Sequence, residues 1–296
     1  VRQGLREAGP VAFGRWHKLM EAIMAENSGI AWTTHTFNPW IGCTKVSPGC
    51  DHCYAEAWNK RFDGGENWGA GAPRRRTKPQ NWSKVARWQR DRRAAIDRGE
   101  TPEPVRVFCA SLADVFDNEV DPAWRADLWA LIAKCPDLDW ILVTKRVGNV
   151  AKMAPAAGFG PNVIILASIV NQPEADRDAD KLVAVKRAGI AKHIGVSYEP
   201  ALGPVDWSPW IADLDWLIVG AESDQGGAVG RDFQVDWART AIRQCRAAGV
   251  SIFIKQLGQL PFGLDFAWAA TLPLSDRAGA DPDEWPEELR VREFYR

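Results

Sequence analysis

The sequence predicts an α/β protein built on a full or partial parallel (β/α) barrel of about six or seven strands. Three observations carry this. From residue 105 onward, short β-branched runs alternate with longer amphipathic segments. The tetrapeptide Asp-Leu-Asp-Trp occurs at 137–140 and again at 213–216, each time leading into an apolar run. The apolar runs also end in polar residues, which a parallel barrel gathers on one rim. Repeated strand–helix–strand units imply parallel pairing through right-handed crossovers. A doubly wound open sheet is the alternative, and the lack of a Gly-rich dinucleotide fingerprint after any run weighs against it.

Taken in order, a first strand is expected near 33–37, followed by runs at 105–111, 140–145, 162–168, 193–198, 216–222 and 251–256. Helices are expected at 121–135, 147–154, 173–188 and 234–248. Asp121 followed by Pro122 is a helix start, with the Asp as cap and the Pro in the first turn. Gly189 and Gly249 stand where two helices should stop. Residues 199–212 read as loop with one short helix. The strand ends supply the candidate rim: Ser111 and Asp114; Thr144, Lys145 and Arg146; Ser168 and Asn171; Ser197 and Glu199; Glu222 and Ser223; Lys255 and Gln256. Any one polar residue there is just the start of a loop. Six ends carrying charged or hydrogen-bonding groups point to a shared site.

At 296 residues the chain can bury a sizeable core, and 46% hydrophobic with 25% charged residues is ordinary for a globular protein. A net charge of −1 names no partner. No apolar run approaches the roughly 18–20 residues that cross a bilayer, and no secretory signal is visible. The expected address is therefore cytoplasmic, where thiols stay reduced and clustered cysteines signal metal or redox chemistry. Residues 1–24 read as an N-terminal extension outside the core, 25–260 as the barrel with a basic insertion at 60–100, and 261–296 as a covering C-terminal segment.

The insertion departs from the overall balance. Residues 60–98 hold twelve Lys or Arg against four acids, a local charge of +8 in a chain of −1. Trp68, Trp82 and Trp88 interleave with that charge. Basic residues beside aromatic platforms suit a polyanion and its bases, with Arg74, Arg75, Arg76, Lys78 and Trp82 as the candidate contacts. The competing reading is a solvated helix whose tryptophans pack on the core. Gly64, Gly65, Gly69 and Gly71 mark a mobile loop within the stretch.

Three of the six cysteines fall in "CTKVSPGCDHCY", spaced Cys43-x6-Cys50-x2-Cys53. The Pro48-Gly49 turn folds the segment back so that three sulfurs can face one centre. Structural zinc wants four ligands, and the fourth would have to be His52, His35 or a distant cysteine. A four-iron cluster on three thiolates leaves one iron open for a ligand, which is the favoured reading. Structural zinc and reduced bystander thiols are the alternatives. Cys109, Cys135 and Cys245 stand alone among apolar neighbours and read as buried small hydrophobes.

A three-cysteine loop after the first strand of a (β/α) barrel resembles the radical S-adenosylmethionine (SAM) superfamily. More closely, "WTTHTFNPWIGCTKVSPGCDHCYAE", "LVTKR", "VSYEPALGPVD", "IVGAES" and "FIKQLG" resemble, over residues 25–296, an uncharacterised three-cysteine family common in phages and mobile elements. The resemblance implies a partial or full barrel of the radical SAM type. It also implies a [4Fe–4S] cluster on Cys43, Cys50 and Cys53, with SAM chelating the fourth iron. One electron through the cluster would cleave SAM to methionine and a 5′-deoxyadenosyl radical that takes hydrogen from substrate.

Two departures stand out. Six residues, not three, separate the first two cysteines, and "SLADVF" replaces the acidic Gly-Gly-Glu type motif after the second strand. By position, Ser111 and Asp114 are then the candidates for the methionyl amine, His52 for the adenine, and Ser168 and Asn171 for the ribose. Glu199, Glu222 and Lys255 are the candidates on the substrate side, with Lys145 and Arg146 for a carboxylate or phosphate.

The expected function is radical chemistry on a nucleic acid or nucleotide, such as base modification or repair, with an external electron donor and room for a partner protein. The alternatives are a non-catalytic nucleic-acid-binding module with a structural metal, and the same radical chemistry on a peptide or small metabolite.

Overall fold

The apolar runs fold as one parallel sheet in a computed structural model that describes residues 26–225, 227–263 and 274–295. The expected extension, residues 1–24, lies outside the described residues. In chain order the strands are β1 (His35–Phe37), β2 (Trp40–Ile41), β3 (Arg75–Arg76), β4 (Val105–Cys109), β5 (Leu138–Thr144), β6 (Val163–Ser168), β7 (His193–Tyr198), β8 (Trp216–Gly220) and β9 (Ser251–Gln256). Seven of them form a sheet in the order β1-β4-β5-β6-β7-β8-β9, every pair parallel. The order never reverses, so the sheet is singly wound and the doubly wound alternative falls. β1 and β9 stand at the two ends of the strand order and do not pair with each other, which leaves the barrel open as a partial one. β2 and β3 make a separate antiparallel ribbon in which Trp40 pairs with Arg76 and Ile41 with Arg75. That ribbon, which the sequence did not signal, stitches the basic insertion to the start of the cysteine loop.

Side-chain alternation along the strands produces two cores. Phe108, Ile141, Ile164, Leu166, Trp216, Ile218 and Phe253 point into the concave side with Trp32. Val107, Leu142, Ile165, Val196, Leu217 and Ile254 point outward against the helices. The helices are α1 (Tyr54–Phe62), α2 (Pro79–Asp97), α3 (Pro122–Ala133), α4 (Val150–Met153), α5 (Gln172–Arg187) and α6 (Val235–Ala248). Asp121 caps α3, its carboxylate accepting from the Ala123 amide at 2.8 Å. Asn171 caps α5 through the Glu174 amide at 3.1 Å. Gly249 ends α6 at φ 71°, a left-handed position that a side chain would strain.

The helix expected over 147–154 is instead a 3-10 turn, Val147–Asn149, followed by the four-residue α4. Ala154 precedes Pro155 and sits at ψ 160°, outside the helical region, so the helix stops there.

The described C-terminal residues close the end from which the strands start. Phe294 and Tyr295 pack on the concave cluster. The Glu293 amide donates to the Ile252 carbonyl at 2.9 Å, and Arg106 lies over the Phe294 ring at 3.7 Å. Trp285 is fully buried beside this closure. With that end filled, the opposite rim is where polar groups gather. No described helix is long and apolar enough to cross a membrane.

Candidate functional site

The cysteine loop runs from β2 to α1 over that rim. Gly42 starts it at φ 117°, and a Cβ there would lie 2.4 Å from the Asn67 carbonyl oxygen, so the loop can only leave the ribbon through a glycine. Pro48–Cys50 form one 3-10 turn, closed by the Gly49 amide donating to the Ser47 hydroxyl at 3.0 Å. A Cβ on Gly49 would meet Val170 Cγ1 at 2.7 Å and Lys145 Cε at 3.2 Å. The turn therefore presses directly on the residues that follow β5 and β6.

Each of the two outer thiols meets donors suited to a thiolate. Burial pushes the Cys43 thiol up to about 12, against the pull of the Arg146 guanidinium, whose Nη1 lies 3.3 Å from Cys43 Sγ. Cys53 stands at the N-cap position of α1, with its backbone extended and no capping hydrogen bond from its side chain. Burial raises its pKa, while the Glu56 amide, the Lys145 charge and the Ala55 amide act the other way. A sulfur at a helix N-terminus beside a cation is placed to carry negative charge once its proton is displaced. Cys50 is buried between them in sequence and close enough to Cys53 to oppose its ionisation.

Arg146 was expected to hold a ligand's carboxylate or phosphate. The structure gives its donors to the loop: Nη1 to Cys43 Sγ and to Asp114 Oδ2 at 3.1 Å, Nη2 to the Thr44 carbonyl at 2.7 Å, with Asp117 at 3.8 Å. Asp114 anchors it. Its two oxygens also accept from the Thr144 hydroxyl (2.8 and 3.0 Å), the Lys145 amide (3.1 Å) and the Phe116 amide (2.9 Å). An acceptor so filled has little capacity left for the methionyl amine that its position had proposed. Ser111 is buried and shares a hydrogen bond with Asn38 at 3.0 Å, and its carbonyl accepts from the Tyr54 hydroxyl at 2.7 Å.

Glu222 and His52, placed apart by the sequence reading, meet. His52 Nδ1 lies 2.9 Å from Glu222 Oε2. Arg231 donates to the same carboxylate through Nε at 2.8 Å, Nη2 at 2.5 Å and its backbone amide at 3.1 Å. It also reaches the Pro48 carbonyl at 3.1 Å and Asp51 at 3.4 Å. Burial alone would raise the Glu222 pKa, but the Arg231 donors and charge outweigh it and hold the carboxyl below its usual range. The trio clamps the cysteine loop to the end of β8. Nothing in the sequence flags Arg231, which lies 183 residues from the loop carbonyl it holds.

Glu199 and Lys255 approach each other at 3.0 Å across the ends of β7 and β9. Gly220 makes room for this pair, since a Cβ there would sit 2.4 Å from Glu199 Oε1. The Ser168 hydroxyl donates to the Glu199 carbonyl at 3.2 Å. Asn171 lines an open cleft of about 590 Å³ with Pro48, Leu202, Arg231, Asp232 and Trp237, beside the cysteine turn.

The basic insertion is corrected in part. Arg74 is not a surface contact: its side chain is 1% exposed and pairs with Asp117 at 2.8 Å and with Glu119, while Nη1 donates to the Ala72 and Gly69 carbonyls. Trp82 is no open platform either. Its ring packs edge-on against Phe37 at 5.4 Å, with Arg76 over it at 4.6 Å. Trp88 is buried and stacks on His35 at 4.2 Å. The core-packed reading holds for both rings, because an indole buries its area more favourably on an apolar neighbour than in water. Arg75, Arg76 and Lys78 remain exposed, with Arg75 paired to Asp63 and Arg76 to Asp127.

Among the described residues no three His, Cys, Asp or Glu side chains converge as ligands of a single ion. A four-iron cubane takes its thiolates at separate corners, further apart than ligands on one atom, and the donor set of three thiols with surrounding N–H groups fits it. Cys109, Cys135 and Cys245 are buried, as expected of small apolar side chains.

Among solved structures the fold is similar to spore photoproduct lyase. One single-substitution variant of that enzyme, with a tyrosine changed to phenylalanine, gives a TM-score of 0.49 at 12% identity, covering 78% of this chain and 78% of that one. Another, with a cysteine changed to serine, gives 0.43 at 14%, covering 74% and 62%. A complex with dinucleoside spore photoproduct gives 0.42 at 13%, covering 75% and 63%. The chain thus spans less than two thirds of two of these three structures, and likeness at this level carries no functional inference. No curated protein matches the sequence. Residues 27–266 match the family model described as "protein of unknown function (DUF5131)", and the chain belongs to that family.

Proposed function

We propose that this protein is a radical SAM enzyme acting on a nucleic acid or nucleotide. The observation that carries the reading is the placement of Cys43, Cys50 and Cys53 on one fastened loop over the polar rim of a parallel partial barrel. Three thiolates from one loop suit a [4Fe–4S] cluster with one open iron. When bound, that cluster and SAM supply one-electron cleavage of a carbon–sulfur bond and a 5′-deoxyadenosyl radical able to take hydrogen from substrate.

The chain's own residues do the rest. Cys43, Cys50 and Cys53 hold the irons. Arg231, Glu222 and His52 keep the loop shut on β8, and Arg146 keeps it on β5. The Glu199–Lys255 pair, facing the rim across Gly220, is the candidate polar contact to substrate. Ser168 and Asn171, at the end of β6 and beside the cleft, are the candidate ribose contacts. The filled opposite end of the barrel keeps solvent from entering behind the site. The exposed Arg75, Arg76 and Lys78, in a segment of net charge +8, support a phosphate-bearing substrate. The electron comes from an external donor.

The test is replacement of each loop cysteine by Ala, with iron, sulfide and 5′-deoxyadenosine measured after anaerobic reconstitution. Each single variant is expected to lose most of its iron and all 5′-deoxyadenosine formation. A variant with iron untouched removes that residue from the ligand set.

A further inference from the structure

We infer that Arg146 tunes the redox poise of the cluster site through its hydrogen bond to the Cys43 sulfur, an inference that rests on the proposed function above. The geometry is specific. Arg146 follows β5 at the rim, and Nη1 lies 3.3 Å from Cys43 Sγ, within reach of an N–H···S bond. Nη2 donates to the Thr44 carbonyl at 2.7 Å, so the guanidinium is held to the loop at two points, the Cys43 sulfur and the next carbonyl. Behind it, Asp114 at 3.1 Å and Asp117 at 3.8 Å hold the cation. Asp114 is itself locked by the Thr144 hydroxyl and the Phe116 amide. The side chains of Arg146 and Asp114 are 9% and 8% exposed, so solvent screens this charge little.

A guanidinium so placed does more than hold the loop. Reduction adds one electron to a cluster that already carries thiolate charge. A buried cation hydrogen-bonded to one of those sulfurs stabilises the reduced form more than the oxidised form, which raises the reduction potential. The neighbouring carboxylates temper the effect without removing it, since the guanidinium is in hydrogen-bond contact with the sulfur. Arg146 is thus a positioning residue that acts on the cluster through its ligand. Cys53, by contrast, feels the Glu56 and Ala55 amides and the Lys145 charge.

The experiment compares the full chain with Arg146→Lys and Arg146→Gln after anaerobic reconstitution. Iron content is measured first, then the reduced fraction of the cluster against applied potential, by optical titration with dithionite. With iron retained, Arg146→Gln is expected to lower the ratio of reduced to oxidised cluster about tenfold at a fixed potential, which is ~59 mV for one electron. Arg146→Lys, which keeps the charge and loses the planar fork, should fall between. Equal potentials in all three proteins with iron retained would overturn the inference and leave the cluster intact. Should Arg146→Gln fail to fold or load iron, Arg146→Lys and Asp114→Asn carry the same comparison, and an unmoved potential in both overturns it. Absence of iron from the unaltered chain would instead defeat the proposed function.

Discussion

Arg74 and Arg75 are neighbours in sequence and opposites in environment. Arg74 is buried in a pair with Asp117, while Arg75 is 44% exposed and paired with Asp63. Removing one partner of a buried pair strands the other charge, so Arg74→Leu should lower unfolding free energy by about 3–5 kcal/mol in denaturant titrations. Arg75→Ala should leave stability within about 0.5 kcal/mol and instead weaken nucleic-acid binding, reducing its salt slope by about one. Stability unchanged in Arg74→Leu would contradict the buried network. At this scale the sequence disclosed residue types but not environments. A run of three arginines looks uniform until Arg75 and Arg76 enter the β2–β3 ribbon with exposed side chains and Arg74, just before it, is buried. The three cysteines were legible because their spacing is itself the signal. Arg231 was not, because its partners become neighbours only after the chain has folded.

The cysteine loop is an element without regular secondary structure beyond one turn, held by side chains from distant strands. Glu222 is the hub of the tie to β8, with its side chain 5% exposed. Its folded pKa is depressed, so its contribution is present above the unfolded carboxylate pKa and is lost as pH falls through the folded value. The unaltered protein should therefore lose stability on acidification through and below the ordinary carboxylate range. Glu222→Gln should start lower at neutral pH and show a shallower loss. Unfolding free energies measured for both from neutral to acid pH check this, and parallel curves would remove Glu222 from the clamp. The strand positions around the loop were readable from apolar runs, two of them to the residue, at 193–198 and 251–256. The helix at 147–154 was over-read because apolar spacing does not register that Pro155 forces Ala154 out of the helical region.

At the scale of the molecule, the alternation of strands and helices and the repeated Asp-Leu-Asp-Trp predicted a singly wound parallel sheet, and the strand order agrees. Whether the barrel closes was not legible, because closure depends on pairing between the first and last strands, which lie over 200 residues apart in sequence. The sheet stays open, its starting end plugged by aromatic residues of the C-terminal segment and its other end roofed by the cysteine loop. This division leaves the strand ends that carry Arg146 and Glu222 on the side that the cysteine loop crosses. The measurement that bears most directly on this arrangement is electron paramagnetic resonance of the reconstituted full chain, reduced with dithionite, before and after addition of SAM. The account predicts the signal of one reduced [4Fe–4S] cluster that changes when SAM occupies the open iron. A cluster signal indifferent to SAM, or no iron signal from a chain with all three thiols intact, would contradict it.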